Sequence, residues 1–421
     1  MKEIFKLLIN DFFEKNLNVK KRDINIPLNS SKIVTLVGIR RSGKTYILYD
    51  LISRLREQVD LKNIIYINFE DDRLFGLKAD GLSLLIDAYF EMFPQKRDEK
   101  IYLFLDEIQE VEGWEKFVRR MYDTLNVQMF VTGSSAKMLS KELASALRGR
   151  TITYEVFPLS FKEYLDFKNI DMNLYSSRSL SFIKNAFETF LKEGGFPEIV
   201  FEENEDIKQR ILRDYVDLII YRDIIERYNI KNLSLLKFLV KYTFSNPATL
   251  LSFNKLYNEL KTLGYKLSKD TLFDYFGYLA DTYALFTVPI FRSSVKEENR
   301  NPKKVFIVDN GFNYIFNTSF SDEYSKLYEN LVFLQLRRKY TEIYYFKEKQ
   351  EVDFFVPKDN LLINVSYKID DPKTLNREIL ALKEAMQKYH VNESYLITSD
   401  EEKEIEGIKI IPLWKFLINF F

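Results

Sequence analysis

The chain contains no cysteine, which removes disulfide frameworks, thiolate metal sites and cysteine nucleophiles together. That absence fits a cytoplasmic protein. Histidine occurs once. His390 ends an amphipathic pattern with no acid or hydroxyl placed to form a triad, and reads as a surface or cap residue. Net charge is also absent, because 62 lysines and arginines balance 62 acids. Any nucleic-acid surface must therefore be a local patch. Glycine and proline number only 13 and 10, and no low-complexity linker or internal repeat is visible. No stretch approaches the roughly 18 uncharged apolar residues of a spanning helix, so no membrane role is expected. The opening "MKEIFKLLINDFFEKNLNVKKRD" reads as an amphipathic helix, with neither an uninterrupted apolar region nor a cleavage site.

What is present is a globular composition over 421 residues, 46% hydrophobic and 29% charged. That length implies two to four domains. Between 31 and 158 the apolar runs "KIVTLVG", "IIYINFE", "KIYLFLDE" and "VQMFVTGSS" alternate with helical patterns. Such alternation predicts an α/β core with a parallel sheet and ligands at the carboxyl ends of its strands. Residues 159–230 read as helical, interrupted by "EGGFPE". From 231 to 310, helices lead into two β-like segments, the outline of a winged helix-turn-helix, with Ser268 capping one helix. From 311 to 421 the order predicted is helix, strand, strand, helix, strand, helix. Residues 1–30 form an N-terminal helical segment.

Gly38-Ile39-Arg40-Arg41-Ser42-Gly43-Lys44-Thr45 fits the phosphate-binding loop G-x-x-x-x-G-K-[ST] in a strand–loop–helix setting. Loop and helix amides would face a polyphosphate, with Arg40, Arg41, Ser42 and Tyr46 along its edge. Lys44 would reach the β- and γ-phosphates and the Thr45 hydroxyl would ligate Mg²⁺. "IYLFLDEIQ" places Asp106 and Glu107 at a strand end, Asp106 for the metal and Glu107 to activate water. Thr132, Ser134 or Ser135, after the next strand, could bond the γ-phosphate or the water, or cap a helix. Asn68, at the end of "YINFE", could hydrogen-bond Glu107 and restrain it, or simply satisfy its own strand end. Arg148 and Arg150 in "ALRGR" are candidate arginine fingers, acting in cis or from a neighbour in a homo-oligomer, or plain ion-paired residues. Trp114, after the acidic pair, reads as packing.

The set "GIRRSGKT", "LDEIQEVEGW", "VTGSSAKMLSKELASALRGR", "FPLSFKEYL", "EGGFPE" and "YRDIIERYNI" resembles archaeal and bacterial AAA+-type ATPases with a C-terminal DUF4143 domain. The resemblance covers nearly the whole chain. It implies ATP as the nucleotide, a P-loop core, a helical lid, a winged helix and a restriction-endonuclease-like C-terminal domain. A nuclease of that type needs an acid on one strand and acid-x-lysine on the next, holding Mg²⁺. Here Glu329 and Asp353 are present, but Asn364 and Ser366 stand where the next acid and the lysine belong, and Lys368 is the nearest substitute. A retained fold with an eroded site is the expectation.

Between 231 and 300, ten basic residues face six acids, and Lys266 and Lys269 are placed to meet phosphates. The would-be recognition helix "TLFDYFGYLADTYALF" is nonetheless acidic and aromatic. The sequence thus supports an ATPase that engages DNA in a nucleotide-dependent way. An ATP-timed switch docking a protein partner, and an ATP-driven nuclease, are the alternatives.

Overall fold

In the computed structural model, residues 1–134, 147, 149–292, 294–317, 324–391 and 393–420 are described. The chain divides into two units, residues 1–156 and 157–421.

The apolar runs of the first unit become five strands: β1 (Ile33–Val37), β2 (Ile64–Asn68), β3 (Ile101–Asp106), β4 (Val127–Gly133) and β5 (Thr151–Glu155). β1 and β3 are buried at every position, as expected for strands covered on both faces, which explains why they lack alternation. The sheet runs β2-β3-β4-β1-β5, and all its pairings are parallel. One strand, β4, therefore separates the glycine-rich loop after β1 from the acidic pair after β3. Helices α1 (Lys2–Glu14), α2 (Lys44–Arg56), α3 (Ser83–Met92) and α4 (Trp114–Thr124) accompany the sheet. Phe12 of α1 and Ile26 lie in the core formed with Val34, Leu48 and Phe104. Trp114 is buried at the start of α4, as its packing role predicts.

The second unit begins with α5 (Phe161–Phe167), capped reciprocally by Ser160 and Glu163. It continues through α6 (Ser177–Glu193), α7 (Pro197–Phe201) and α8 (Glu205–Leu218), which runs on as a π-helical stretch over 219–225. Next come α9 (Leu233–Ser245), β6 (Thr249–Leu251), α10 (Phe253–Thr262), α11 (Lys269–Asp281), β7 (Leu285–Val288), α12 (Val295–Arg300) and β8 (Lys303–Ile307). Ser268 caps α11 by accepting from the Thr271 amide. The strands form an antiparallel sheet β6-β8-β7. β6, only three residues long, gives no periodic signal in the sequence.

Past α13 (Gly311–Tyr314) and α14 (Tyr324–Arg337) lie β9 (Tyr344–Lys347), β10 (Glu351–Val356), β11 (Leu361–Val365), α15 (Pro372–Tyr389), β12 (Glu393–Thr398), β13 (Lys403–Ile405), β14 (Ile408–Pro412) and α16 (Leu413–Asn419). They build a mixed six-stranded sheet, β13-β14-β12-β11-β10-β9. The sheet has more strands than the sequence pattern suggests. The β13–β14 hairpin turns at Glu406 and Gly407, both at positive φ, a pair less recognisable than Asn-Gly or Asp-Gly. His390 is the left-handed cap of α15, matching its expected role.

"EGGFPE" finds its partner far along the chain. Asp309, after β8, is buried and accepts from the Gly195 amide at 2.7 Å and the Gly311 amide at 2.8 Å. Burial pushes its carboxyl up to about 7, against those two amide bonds and Arg338. Among the described residues, no helix is long and apolar enough to cross a membrane.

Candidate nucleotide site

Parallel strands end on one edge, so the loops after β1, β3 and β4 meet there. Asn68 pairs with Asp106 in register, and Val37 pairs with Gly133. The glycine loop turns inward at three positive φ values, at Gly38, Arg41 and Gly43. At Gly38 a side chain is excluded twice over, since φ is +152° and a Cβ would lie 2.1 Å from the Val156 carbonyl oxygen.

Inside the loop, the buried Lys44 Nζ donates to the Gly38 and Ile39 carbonyls at 3.1 and 3.2 Å. It stands 3.4 Å from Glu107 Oε1. Ser42 is buried, and its hydroxyl oxygen has no hydrogen-bond partner among the described residues. The Ser42 carbonyl accepts from Arg22 at 2.8 Å. Arg40 pairs with Glu70 at 2.5 Å and approaches Glu110 at 3.6 Å. Tyr46 is 59% exposed on the first turn of α2, edge-on to Tyr49.

Asp106 is 0% exposed and collects three hydroxyls. Thr45 and Tyr66 each donate to Oδ2 at 2.8 Å, and Thr132 donates to Oδ1 at 2.5 Å. Burial, with the Glu107 charge adding to it, pushes the Asp106 carboxyl above its ordinary range despite those three bonds. The Thr132 hydroxyl also accepts from the Glu107 amide at 2.8 Å, fixing the backbone of the acidic pair. Glu107 sits at φ 52°, outside the regions most side chains prefer, which turns its carboxylate toward Lys44. Burial raises the Glu107 carboxyl, but the Lys44 ammonium, the Gln109 hydrogen bond and the Arg40 charge together outweigh it, and the net shift is downward.

Sequence reasoning and geometry part company at several residues. Asn68 does not restrain Glu107, because its Oδ1 accepts from the Glu70 amide at 3.0 Å, closing its own strand end. Gln109 holds Glu107 instead, donating to Oε2 at 2.5 Å, while Ser134 lies 3.5 Å from the same nitrogen. Arg150 precedes β5 at the amino edge of the sheet, roughly 16 Å of strand from the phosphate edge. There it forks onto Asp123 at 3.0 and 3.2 Å, so it is no finger for its own subunit's site. Ser135 and Arg148 lie outside the described residues. Tyr66, Gln109 and Arg22 were missed by the sequence reading. Tyr66 sits inside an apolar strand run, where an aromatic reads as core, and nothing marks Arg22 in "NVKKRD".

In the six-stranded-sheet region, Glu329 and Asp353 do come together, but Lys368 does not join them. Lys368 is exposed and lies over the Tyr367 ring. The cation among the acids is Lys304 of β8, 2.8 Å from Glu329 and 2.8 Å from Asp353.

A lysine closed under a glycine loop, a buried serine hydroxyl with no partner, and a threonine hydroxyl on a buried aspartate fit a polyphosphate with Mg²⁺. On the five-stranded parallel sheet, they define a P-loop ATPase-type domain. Residues 30–165 match the AAA domain family, 184–320 a domain of unknown function (DUF8612), and 324–416 a domain of unknown function (DUF4143). The chain is 37% identical to the uncharacterized protein MJ1544 of Methanocaldococcus jannaschii, covering 100% of this chain and 96% of that one. It is 32% identical to an uncharacterized protein of Haemophilus influenzae, over 92% of this chain and 94% of the other. A solved Walker-type ATPase of Pyrococcus abyssi, paby2304, aligns over 75% of this chain and 95% of its own, with TM-score 0.40 and 15% identity. The chain belongs to the family of AAA-domain proteins that carry a C-terminal DUF4143 domain.

Proposed function

We propose that this protein hydrolyses ATP and uses the cycle to gate engagement of a macromolecular partner, with duplex DNA as the first reading. The observation behind the hydrolysis is the hydroxyl–carboxylate pair Thr45–Asp106 beside a buried Glu107 that faces Lys44. Thr45 and Asp106 are the residues that would hold Mg²⁺, which when bound neutralises phosphate charge. Lys44 exchanges its loop carbonyls for phosphate oxygens. Glu107, carrying its charge at neutral pH, accepts the proton of the attacking water. Gln109 keeps that carboxylate turned to Lys44 until phosphate draws the ammonium away. The family supports ATP over another nucleotide, since among the described residues of the site none reads a base.

The 159–230 helices are read as a lid, and 231–310 as a winged helix, supported by helices α9, α10 and α11 with the sheet β6-β8-β7. Exposed Lys255, Lys261 and Lys266 support phosphate contact. A second reading is favoured by α11, whose exposed positions include Phe273, 51% exposed, with Asp270 and Asp274. That face suits a protein partner better than a major groove.

Steady-state ATP hydrolysis with and without duplex DNA, with Glu107→Gln as control, separates the two. A several-fold stimulation lost in the control supports DNA gating. Turnover indifferent to DNA leaves the protein-docking switch, and no turnover above the control overturns the ATPase reading itself.

A further inference from the structure

The restriction-endonuclease-like fold implied by the resemblance would call for a divalent metal at Glu329 and Asp353, and the residues present do not fit one. Lys304 enters from β8 with its side chain 3% exposed. Its Nζ lies 2.8 Å from Glu329 Oε1, 2.8 Å from Asp353 Oδ1 and 2.9 Å from Glu351 Oε1. Three carboxylates thus converge on one ammonium, at the spacing of charge-assisted hydrogen bonds.

The second carboxylate oxygens of Asp353 and Glu351 are engaged by protein as well. Asp353 Oδ2 accepts from the Val365 amide at 2.8 Å, and the Asp353 amide donates to Asn364 Oδ1 at 3.0 Å. Asn364 Nδ2 then donates to Glu378 Oε2 at 2.8 Å, and Glu378 is clamped by Arg377. Glu351 is shared with Lys347 at 3.4 Å. At Asn364, where a nuclease of this type needs an acid, an amide instead ties the neighbouring strand and helix together.

We propose that Lys304 is the resident cation of this acidic centre, standing where a metal ion would stand and turning the centre into a latch. β8 belongs to the three-stranded sheet, whereas Asp353 and Glu351 lie on β10 of the six-stranded sheet and Glu329 on α14. The ion cluster therefore fastens one sheet to the other. The seam around it is built to stay shut. Asn330, beside Glu329, takes the Ile307 amide at 2.9 Å and returns a bond to the Ile307 carbonyl at 3.0 Å. Phe306 stacks on Phe333 at 4.3 Å, and Tyr345 Oη donates to the Pro302 carbonyl at 2.7 Å. The Lys304 ammonium is tethered to β8 and buried, so a divalent ion could take its place only by leaving that charge buried and unpaired or by parting the seam.

The consequence is that this region has no metal-dependent nuclease chemistry and acts as a rigid module. Removing the lysine should uncover the metal site it occupies. Mn²⁺ binding to the nucleotide-free full chain, followed by titration calorimetry and Mn²⁺ electron paramagnetic resonance, reads this directly. Wild type is expected to show no Mn²⁺ that Asp353→Asn removes. Lys304→Ala should gain one Mn²⁺ equivalent, lost again in Lys304→Ala/Asp353→Asn. A wild-type Mn²⁺ sensitive to Asp353→Asn, or a folded Lys304→Ala that gains none, would overturn the proposal. Should Lys304→Ala unfold, Lys304→Gln is measured as well, and both are refolded with Mn²⁺. Recovery of a cooperative thermal transition supports exchange of one cation for another, and failure to recover it overturns the claim that Lys304 stands where a metal ion would stand. None of these outcomes depends on ATP turnover.

Discussion

The Tyr66 phenol donates to Asp106 Oδ2 over 2.8 Å, meeting the same oxygen that Thr45 reaches from α2. Behind it the Tyr49 hydroxyl lies 3.3 Å away, Lys15 Nζ donates to Tyr49 at 2.9 Å, and the Phe12 ring stacks on Tyr66 at 4.5 Å. The aspartate expected to hold the metal is thereby connected through two phenols to the chain just past α1. Tyr66→Phe removes one hydrogen bond to a buried carboxylate and keeps the ring. It should cost about 1–3 kcal/mol in chemical unfolding. It should also raise the Mg²⁺ concentration for half-maximal turnover, leaving nucleotide affinity nearly unchanged. An unaltered Mg²⁺ dependence would show that Tyr66 only packs.

Lys44 and Glu107 face each other but should fail differently. Lys44→Ala is expected to abolish nucleotide binding in a fluorescent-nucleotide titration. Glu107→Gln should bind at least as well as wild type, because it removes a buried negative charge 3.4 Å from the lysine. Its turnover should fall by roughly 10²–10⁴-fold, the span ascribed to a lost general base.

Arg150→Ala tests the finger assignment. The side chain is part-exposed and ion-paired with Asp123, so its loss should change stability by less than about 1 kcal/mol. Turnover of a dilute single subunit should stay within about twofold of wild type. A collapse of ~10³-fold, of the size ascribed to a lost arginine finger, would place Arg150 in a neighbour's site.

Asp309 gives the pH prediction. Its carboxyl ordinarily titrates at 3.8 and is pushed up to about 7 in the fold by burial. The folded state therefore binds the extra proton between those values, and the stability this contributes is present below about 3.8 and lost as pH rises through about 7. Urea unfolding of wild type and Asp309→Asn across that window should show the wild-type advantage shrinking as pH rises, then holding level. A difference that is flat from acid to neutral pH would refute it.

Much of the nucleotide site was legible because its chemistry is local. Gly38 to Thr45 is a single turn of chain, and "FLDE" carries its acids at a strand end by itself. What escaped notice depends on pairings across the sheet. That Gln109 holds Glu107 while Asn68 closes its own loop is decided by where each backbone points after its strand ends. Tyr66 is hidden because one aromatic serves both core and carboxylate. The Lys304 cluster draws on residues 304, 329, 351 and 353, from one helix and a strand of each of two sheets, so no spacing rule could show it. Six strands stand where the pattern shows three, in part because β9 and β13 have only four and three residues and β13 meets β14 at an unusual turn.

The partners of Asp309 show how distant stretches of sequence become one object. A Cβ on Gly194 would lie 1.6 Å from Asp309 Oδ1, one on Gly195 2.3 Å from the Leu159 carbonyl oxygen, and one on Gly311 2.5 Å from the Glu193 carbonyl oxygen. At 195 and 311 the obstacle is backbone, so no change of a neighbouring side chain makes room, whereas at 194 the obstacle is the Asp309 carboxylate itself. Random mutagenesis should therefore leave 195 and 311 as glycine and recover a larger residue at 194 only together with a change at 309.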